Sequence, residues 1–359
     1  MMTLLLASVG IAEPSTLPLA LVLLVGGLAL LLVGAHFLVE HATALAHLLG
    51  VSPLAIGLTV IAFGTSAPEL ALNVVAAASS EAGATLAYGN IVGSNIANIG
   101  LVLAVACLFH PIVVHKSIRY VYWPLLVVTE LLLLALAGAD QQVNWVDGIV
   151  LLASLPIVLY LLKVIAVRLG GAGCPEVESK SDRRALSRLA VAGMLALGLV
   201  MLLAGARLAE LGAIDVARHA GLSEAVIGLT VVAVATSLPE SFAAIVAARK
   251  EQYDLAMGTV IGSNLFNILS VLAITSLVRP VPIPHDVGWA SLTPMFIFTL
   301  AIGVIYIKKL KFFVRRFGTA GTDWGVTLGR WWGGIMLTLW IALMVSYVVM
   351  GEQAGGAGP

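Results

Sequence analysis

Apolar runs long enough to cross a bilayer recur along this chain from end to end. A spanning helix needs about 20 predominantly apolar residues. Ten such windows fall at roughly 15–40, 51–79, 85–109, 118–139, 144–167, 186–211, 222–248, 254–279, 287–307 and 326–350. Hydrophobic residues make up 60% of the sequence and charged residues only 11%, too little polar surface to cover a soluble globule of this length. The expected fold is an all-α polytopic membrane protein with ten transmembrane helices.

The placement of charge orients those helices. With the N-terminus outside, the cytoplasmic loops and their flanks hold Lys116, Arg119, Lys163, Arg168, Lys180, Arg183, Arg184, Arg188, Arg249, Lys250, Lys308, Lys309, Lys311, Arg315, Arg316 and Arg330. Only Arg207, Arg218 and Arg279 remain outside. This excess of Lys and Arg on one side satisfies the positive-inside rule. It predicts both termini outside and a multi-pass protein of the plasma (inner) membrane. The N-terminal stretch lacks the basic region of a secretory signal and reads as a lead-in to the first helix. Cys107 and Cys174 suggest no disulfide or metal framework, and no cofactor, nucleic-acid or protein partner is expected. The basic run Lys308 to Arg316 reads as an anchor on anionic lipid.

One segment occurs twice. GLTVIAFGTSAPE at 57–69 returns as GLTVVAVATSLPE at 228–240, identical at nine of thirteen positions. GNIVGSNIANI at 89–99 returns as GTVIGSNLFNI at 258–268, and LLVGAH at 31–36 as LLAGAR at 202–207. The first and third pairs share an offset of 171 residues, the second an offset of 169. Residues 1–167 and 188–359 are therefore predicted to be two five-helix repeats joined by a polar, basic cytoplasmic linker at 168–187. An odd number of spans inverts the second repeat, an architecture that places substrate near the midplane between the halves.

The best-matched residues are polar groups and helix breakers, which are costly in hydrocarbon. Proline removes a helical hydrogen bond, so Pro68 and Pro239 are expected to free the carbonyls of Gly64 and Ala235. Freed carbonyls at membrane depth must be buried in protein or line a wet cavity. With Thr65, Ser66, Glu69 and Thr236, Ser237, Glu240 they form an oxygen-rich set suited to a hard cation. Glu69 and Glu240 facing each other need compensating positive charge. One divalent cation, two monovalent cations or two protons would supply it, and competition among these gives antiport. A pair of protonated glutamates bridging two helices is the structural alternative.

Ser94 and Asn98, like Ser263 and Asn267, are four residues apart and share a helix face. That face could complete the cage, or could serve only interhelical hydrogen bonding. Asn95 and Asn264 lie off it and read as helix–helix hydrogen-bonding residues. Gly89, Gly93, Gly258 and Gly262 have the spacing of close helix packing. His36, His41 and His47 read as interfacial residues rather than metal ligands, and Glu130 has no counterpart in the repeat pattern.

On GTSAPE at 64–69, ATSLPE at 235–240, GSNIAN at 93–98 and GSNLFN at 262–267, the chain resembles the calcium/cation antiporter superfamily, specifically prokaryotic sodium/calcium exchangers. The resemblance implies that Glu69 and Glu240 bind calcium with Thr65 and Thr236. It implies that Ser66, Ser94, Ser237 and Ser263 contribute to sodium sites with carbonyls near Ala62 and Ala233, and that Asn98 and Asn267 close the middle. It also implies that the first and sixth helices slide to alternate access. Two departures stand out: Ala235 where the first copy has Gly64, and Asn267 where many relatives carry Asp. With two acids rather than three, no potassium co-transport is expected.

The expected activity is calcium/sodium antiport, with Ca2+ and Na+ as transported substrates and the lipid bilayer as surroundings. Proton-coupled calcium antiport is the alternative, and a cation channel a further one. The many hydroxyls and amides favour sodium, since protons need no oxygen cage. No enzymatic constellation is evident.

Overall fold

The computed structural model describes residues 16–114, 118–168, 188–221, 233–283, 288–303 and 326–355. Residues 228–232 of the second long motif, most of the linker (169–187), Cys174 and the basic run from 308 to 316 lie outside the described residues.

Helix α1 (Leu17–Leu49) is followed by α2 (Pro53–Ser79), α3 (Glu81–Phe109), α4 (Trp123–Asp140), α5 (Trp145–Arg168) and α6 (Arg188–His219). A π-helical turn at Ile118–Tyr122 leads into α4. Two shorter segments, α7 (Ala233–Thr236) and α8 (Leu238–Arg249), precede α9 (Tyr253–Val278), α10 (Gly288–Ile302) and α11 (Arg330–Gly355). Among the described residues seven helices, α1 to α6 and α9, are long and apolar enough to cross a membrane. The remaining predicted windows correspond to α7 with α8, to α10 and to α11.

Burial sorts these helices. The apolar window of α9 is 89% buried and that of α3 78%, against 22% for α1 and 33% for α6. The helices carrying the second motif therefore form the centre, while α1, α5 and α6 present large apolar side chains such as Val22, Ile157 and Val200 outward. Exposed apolar surface of this kind is stable only against lipid.

Helices α1 and α6 run antiparallel and meet through their glycines. A methyl group on Gly34 would lie 2.5 Å from the Leu202 amide nitrogen, and one on Gly205 would lie 2.5 Å from that of Leu31. Leu31 and Gly34 are the repeat counterparts of Leu202 and Gly205, so the contact is made twice with the roles exchanged. Small residues at such crossings let backbones approach closely. Gly258 and Gly262 do the same on α2, where added methyls would meet Leu54 O and the Leu58 Cα at 2.8 Å. Among the described residues nothing approaches Gly89 or Gly93 in this way.

The repeat also sets helix irregularities. α3 contains a π-helical stretch at Asn98–Leu103 and α9 one at Asn267–Leu272, each opened by the last asparagine of its motif. Such π-bulges occur frequently at functional sites. Four short strands depart from the all-α expectation. β1 (Ile112–Val114) pairs antiparallel with β4 (Val326–Leu328), and β2 (Gln142–Val143) with β3 (Val281–Pro282). Each pair joins the two halves, and strands of two or three residues are too short for sequence periodicity to reveal.

The two prolines sit differently in their helices. The α-helix of α2 runs through Pro68 without interruption. The second copy does break, at Ser237, whose φ of −92° and ψ of 2° separate α7 from α8. Pro239 then falls in the first turn of α8, where proline costs no hydrogen bond. The break falls two residues from Ala235, the residue that stands where the first copy has Gly64.

Candidate cation site

Helices α2 and α8 bring the two matched acids of the repeat into one interior. Glu69 and Glu240 are both buried and close enough to interact electrostatically. The Thr65 hydroxyl lies beside the Glu240 carboxylate of the other half and donates to the Ala62 carbonyl at 3.3 Å. Ser66, Ser94, Ser237, Ser263, Asn98 and Asn267 are buried as well, and Thr236 is half-buried. All ten residues singled out in the sequence thus line helices that pack against one another, α2, α3, α7, α8 and α9.

Behind the acids, four asparagines tie α3 to α9. Asn98 Nδ2 donates to Asn264 Oδ1 at 2.9 Å, and Asn267 Nδ2 donates to Asn95 Oδ1 at 3.0 Å. Asn95 and Asn264 also donate to each other's backbone carbonyls, at 3.4 and 3.2 Å. The off-face asparagines therefore hydrogen-bond between helices, as their position in the sequence implies. The on-face pair contributes its amide nitrogens to the same lattice, which leaves its oxygens for other use.

Four of the ten carry a buried oxygen that takes no hydrogen bond among the described residues: Ser66 Oγ, Glu240 Oε2, Ser263 Oγ and Asn267 Oδ1. An unpartnered polar atom at this depth costs on the order of 1–3 kcal/mol. Two hydroxyls, a carboxylate and an amide oxygen are the donor types that hard cations accept. Among the described residues no group of three or more His, Cys, Asp or Glu forms, and the donors gathered with the two acids are oxygens.

Residues set aside in the sequence are accounted for individually. His36 and His41 bond their own helix through Nδ1, to Leu32 O at 2.9 Å and Phe37 O at 2.8 Å, on exposed ground. Glu130, which the repeat pattern left without a counterpart, is fully buried between α4 and α10. It accepts a 2.6 Å hydrogen bond from Thr299, 169 residues away. That separation is the offset of the second motif, and it was the one available signal for the pair. Asn73 and Asn90, which sequence reasoning missed, hydrogen-bond at 3.1 Å between α2 and α3.

Comparison with known proteins gives one consistent result. The model of the family described as sodium/calcium exchanger protein matches residues 19–164 and 190–349. The putative antiporter CaxA of Alkalimonas amylolytica is 36% identical over 290 residues, covering 79% of this chain and 89% of that protein. The sodium/calcium exchanger MaX1 of Methanosarcina acetivorans is 29% identical over 352 residues, covering 89% and 95% respectively. The solved structure of the sodium-calcium exchanger NCX_Mj soaked with sodium superposes with a TM-score of 0.74 at 29% identity, covering 92% of this chain and 99% of that one.

Proposed function

The chain belongs to the sodium/calcium exchanger protein family, and on that premise we propose that it is a secondary active antiporter exchanging calcium for sodium by alternating access. The observation that carries this reading is the set of buried, unpartnered oxygens beside Glu69 and Glu240. Oxygens supplied by both halves converge where two carboxylates need positive charge. Calcium neutralises both acids at once, whereas sodium ions must fill the same region in greater number. Occupancy by one therefore excludes the other, and no separate coupling device is needed.

The architecture proposed is ten transmembrane helices in two inverted five-helix repeats, 1–167 and 188–359, with both termini outside. Three observations support it: the antiparallel α1–α6 contact made twice with exchanged residues, the two π-helical stretches at matching asparagines, and the exchanged strand pairs. The α1–α6 pair is held together through its glycines and is less buried than α3 and α9, and in this reading it shifts as a unit over the bundle to open the site to alternate sides. Calcium is bound by Glu69, Glu240, Thr65 and Thr236, and sodium by Ser66, Ser94, Ser237 and Ser263. Asn98 and Asn267 lie between. The protein is not an enzyme in this reading.

The test is calcium-45 uptake into sodium-loaded proteoliposomes. Uptake is expected to follow the outward sodium gradient and to vanish in Glu69→Gln and Glu240→Gln. Uptake driven equally well by a proton gradient without sodium would replace this reading by proton-coupled antiport. Unsaturating calcium conductance without exchange would point to a channel.

A further inference from the structure

The polar wall of the site continues one turn further on one side of the membrane than on the other. Along α2, Ser66, Glu69 and Asn73 are spaced i, i+3, i+7 and share a face; all three are buried. Along α3, Asn90, Ser94 and Asn98 step by four residues and form a parallel stripe. The stripes meet where Asn90 Nδ2 donates to Asn73 Oδ1 at 3.1 Å. This contact lies about 6 Å beyond Glu69 along the axis, by the rise of four helical residues. It is on the side where α2 ends and α3 begins.

The second half has no such extension. The counterparts of Asn73 and Asn90 are Ala244 and Thr259. Ala244 carries no polar atom, and the fully buried Thr259 gives its hydroxyl to its own helix, at Leu255 O, 2.9 Å away. The stripe there ends at Glu240 and Ser263. The first and second halves therefore differ in what a cation meets on its way in.

The carboxamide pair is also incompletely bonded. Their mutual bond uses one amide hydrogen and one oxygen, and Asn73 Nδ2 is buried with no partner among the described residues. A contact serving only to pack two helices does not need a donor left over at that depth, where it costs on the order of 1–3 kcal/mol. The oxygen outside the mutual bond, Asn90 Oδ1, is the one available to a cation, while Asn73 Nδ2 can donate only to water the cation sheds. We propose that Asn73 and Asn90 form an additional cation-coordinating station, selecting hard alkali or alkaline-earth cations as they lose water, on the path between Glu69 and the α2–α3 turn, and that the opposite path lacks one. This rests on the antiport reading above.

The experiment measures half-saturating calcium separately from each face in oriented vesicles, with the faces assigned by labelling Glu81→Cys in a background where Cys107 and Cys174 are replaced by Ser. Wild-type exchange must be present for the comparison, so its absence would count against the antiport reading and not against this one. Asn73→Ala and Asn90→Ala are expected to raise half-saturating calcium about three- to tenfold on the α2–α3 turn side and to leave the other side unchanged. Grafting the pair by Ala244→Asn with Thr259→Asn is expected to lower the value on the opposite side. Equal shifts on both faces, or a lowered melting temperature with no shift on either face, would overturn the proposal and leave a helix-packing bond.

Discussion

Asn95 and Asn264 each donate a side-chain N–H to the other's backbone carbonyl, at 3.4 and 3.2 Å. They are counterparts in the two repeats, and residues that pair with their own counterparts lie on the axis relating the halves. The same two residues accept from Asn267 and Asn98 through their side-chain oxygens. The lattice thereby fixes the amide orientation of the residues nearest the acids: nitrogens toward the lattice, oxygens away from it.

Asn264→Leu strands the Asn98 amide and the Asn95 carbonyl together. Interhelical hydrogen bonds in membrane proteins average about 0.6 kcal/mol and reach about 1.7. Losing two is expected to cost roughly 1–3 kcal/mol of stability and to lower the thermal midpoint in detergent by several degrees. Asn95→Leu removes different bonds, yet the double variant is expected to cost less than the sum of the singles, because either change alone loosens the α3–α9 contact on which the remaining bonds depend. Additive losses would mean that the lattice does not act as a unit.

Thr65 lies beside the carboxylate of the opposite half. Thr65→Val keeps the volume and removes the hydroxyl, so an oxygen of Glu240 loses its restraint and the site loses a donor. Hydrogen bonds to charged groups are worth about 1.5–3 kcal/mol, which corresponds to a rise of roughly ten- to a hundredfold in half-saturating calcium. Initial rates of calcium-45 uptake across a calcium titration measure this. An unchanged titration would remove Thr65 from the calcium site.

Glu130 and Thr299 offer a cleaner cycle, since they lie away from the acids. Thr299 also accepts from Trp123 Nε1 through its backbone carbonyl, at 2.7 Å, which fixes its position. Glu130→Leu and Thr299→Val are each expected to destabilise the protein by about 1–2 kcal/mol, with a strongly non-additive double variant. Glu130→Gln keeps the acceptor and is expected to fold as the parent does. A large loss in Glu130→Gln would mean that the charge of Glu130, not its hydrogen bond, is what the fold uses.

The legible parts of this molecule are those where polar atoms incur a cost in an apolar helix. Glu69, Glu240 and the motif hydroxyls stood out because their surroundings were Val, Ile, Leu and Ala, and the repeat matched letter for letter. Glu130 and Thr299 did not, because a bond between unlike residues leaves no matching letters in a repeat. The strand pairs carry too few residues for alternation to register. Continuity of α2 through Pro68 was not foreseeable either: the rule for proline gives the bond lost at Gly64, not whether the chain bends there or, as at Ser237, beside it. Asn73 and Asn90 were missed for a related reason, since attention to residues shared by both halves passes over what only one half has.

Asn267 brings a neutral oxygen to the donor set. Its Nδ2 donates to Asn95 while its Oδ1 remains buried without a partner. An aspartate at this position has no hydrogen to donate, so Asn267→Asp faces the Asn95 oxygen with a like-charged oxygen and adds a third carboxylate beside Glu69 and Glu240. One calcium ion balances two carboxylates but not three. The parent is therefore expected to exchange calcium for sodium with no potassium requirement, and Asn267→Asp to need a further monovalent cation or proton for each calcium carried. Calcium-45 uptake measured with and without potassium, and across external pH, distinguishes the two. Potassium dependence in the parent would mean that two carboxylates suffice for co-transport. An ion requirement unchanged in Asn267→Asp would place this side chain outside the charge balance of the site, with only its bond to Asn95 left to explain it.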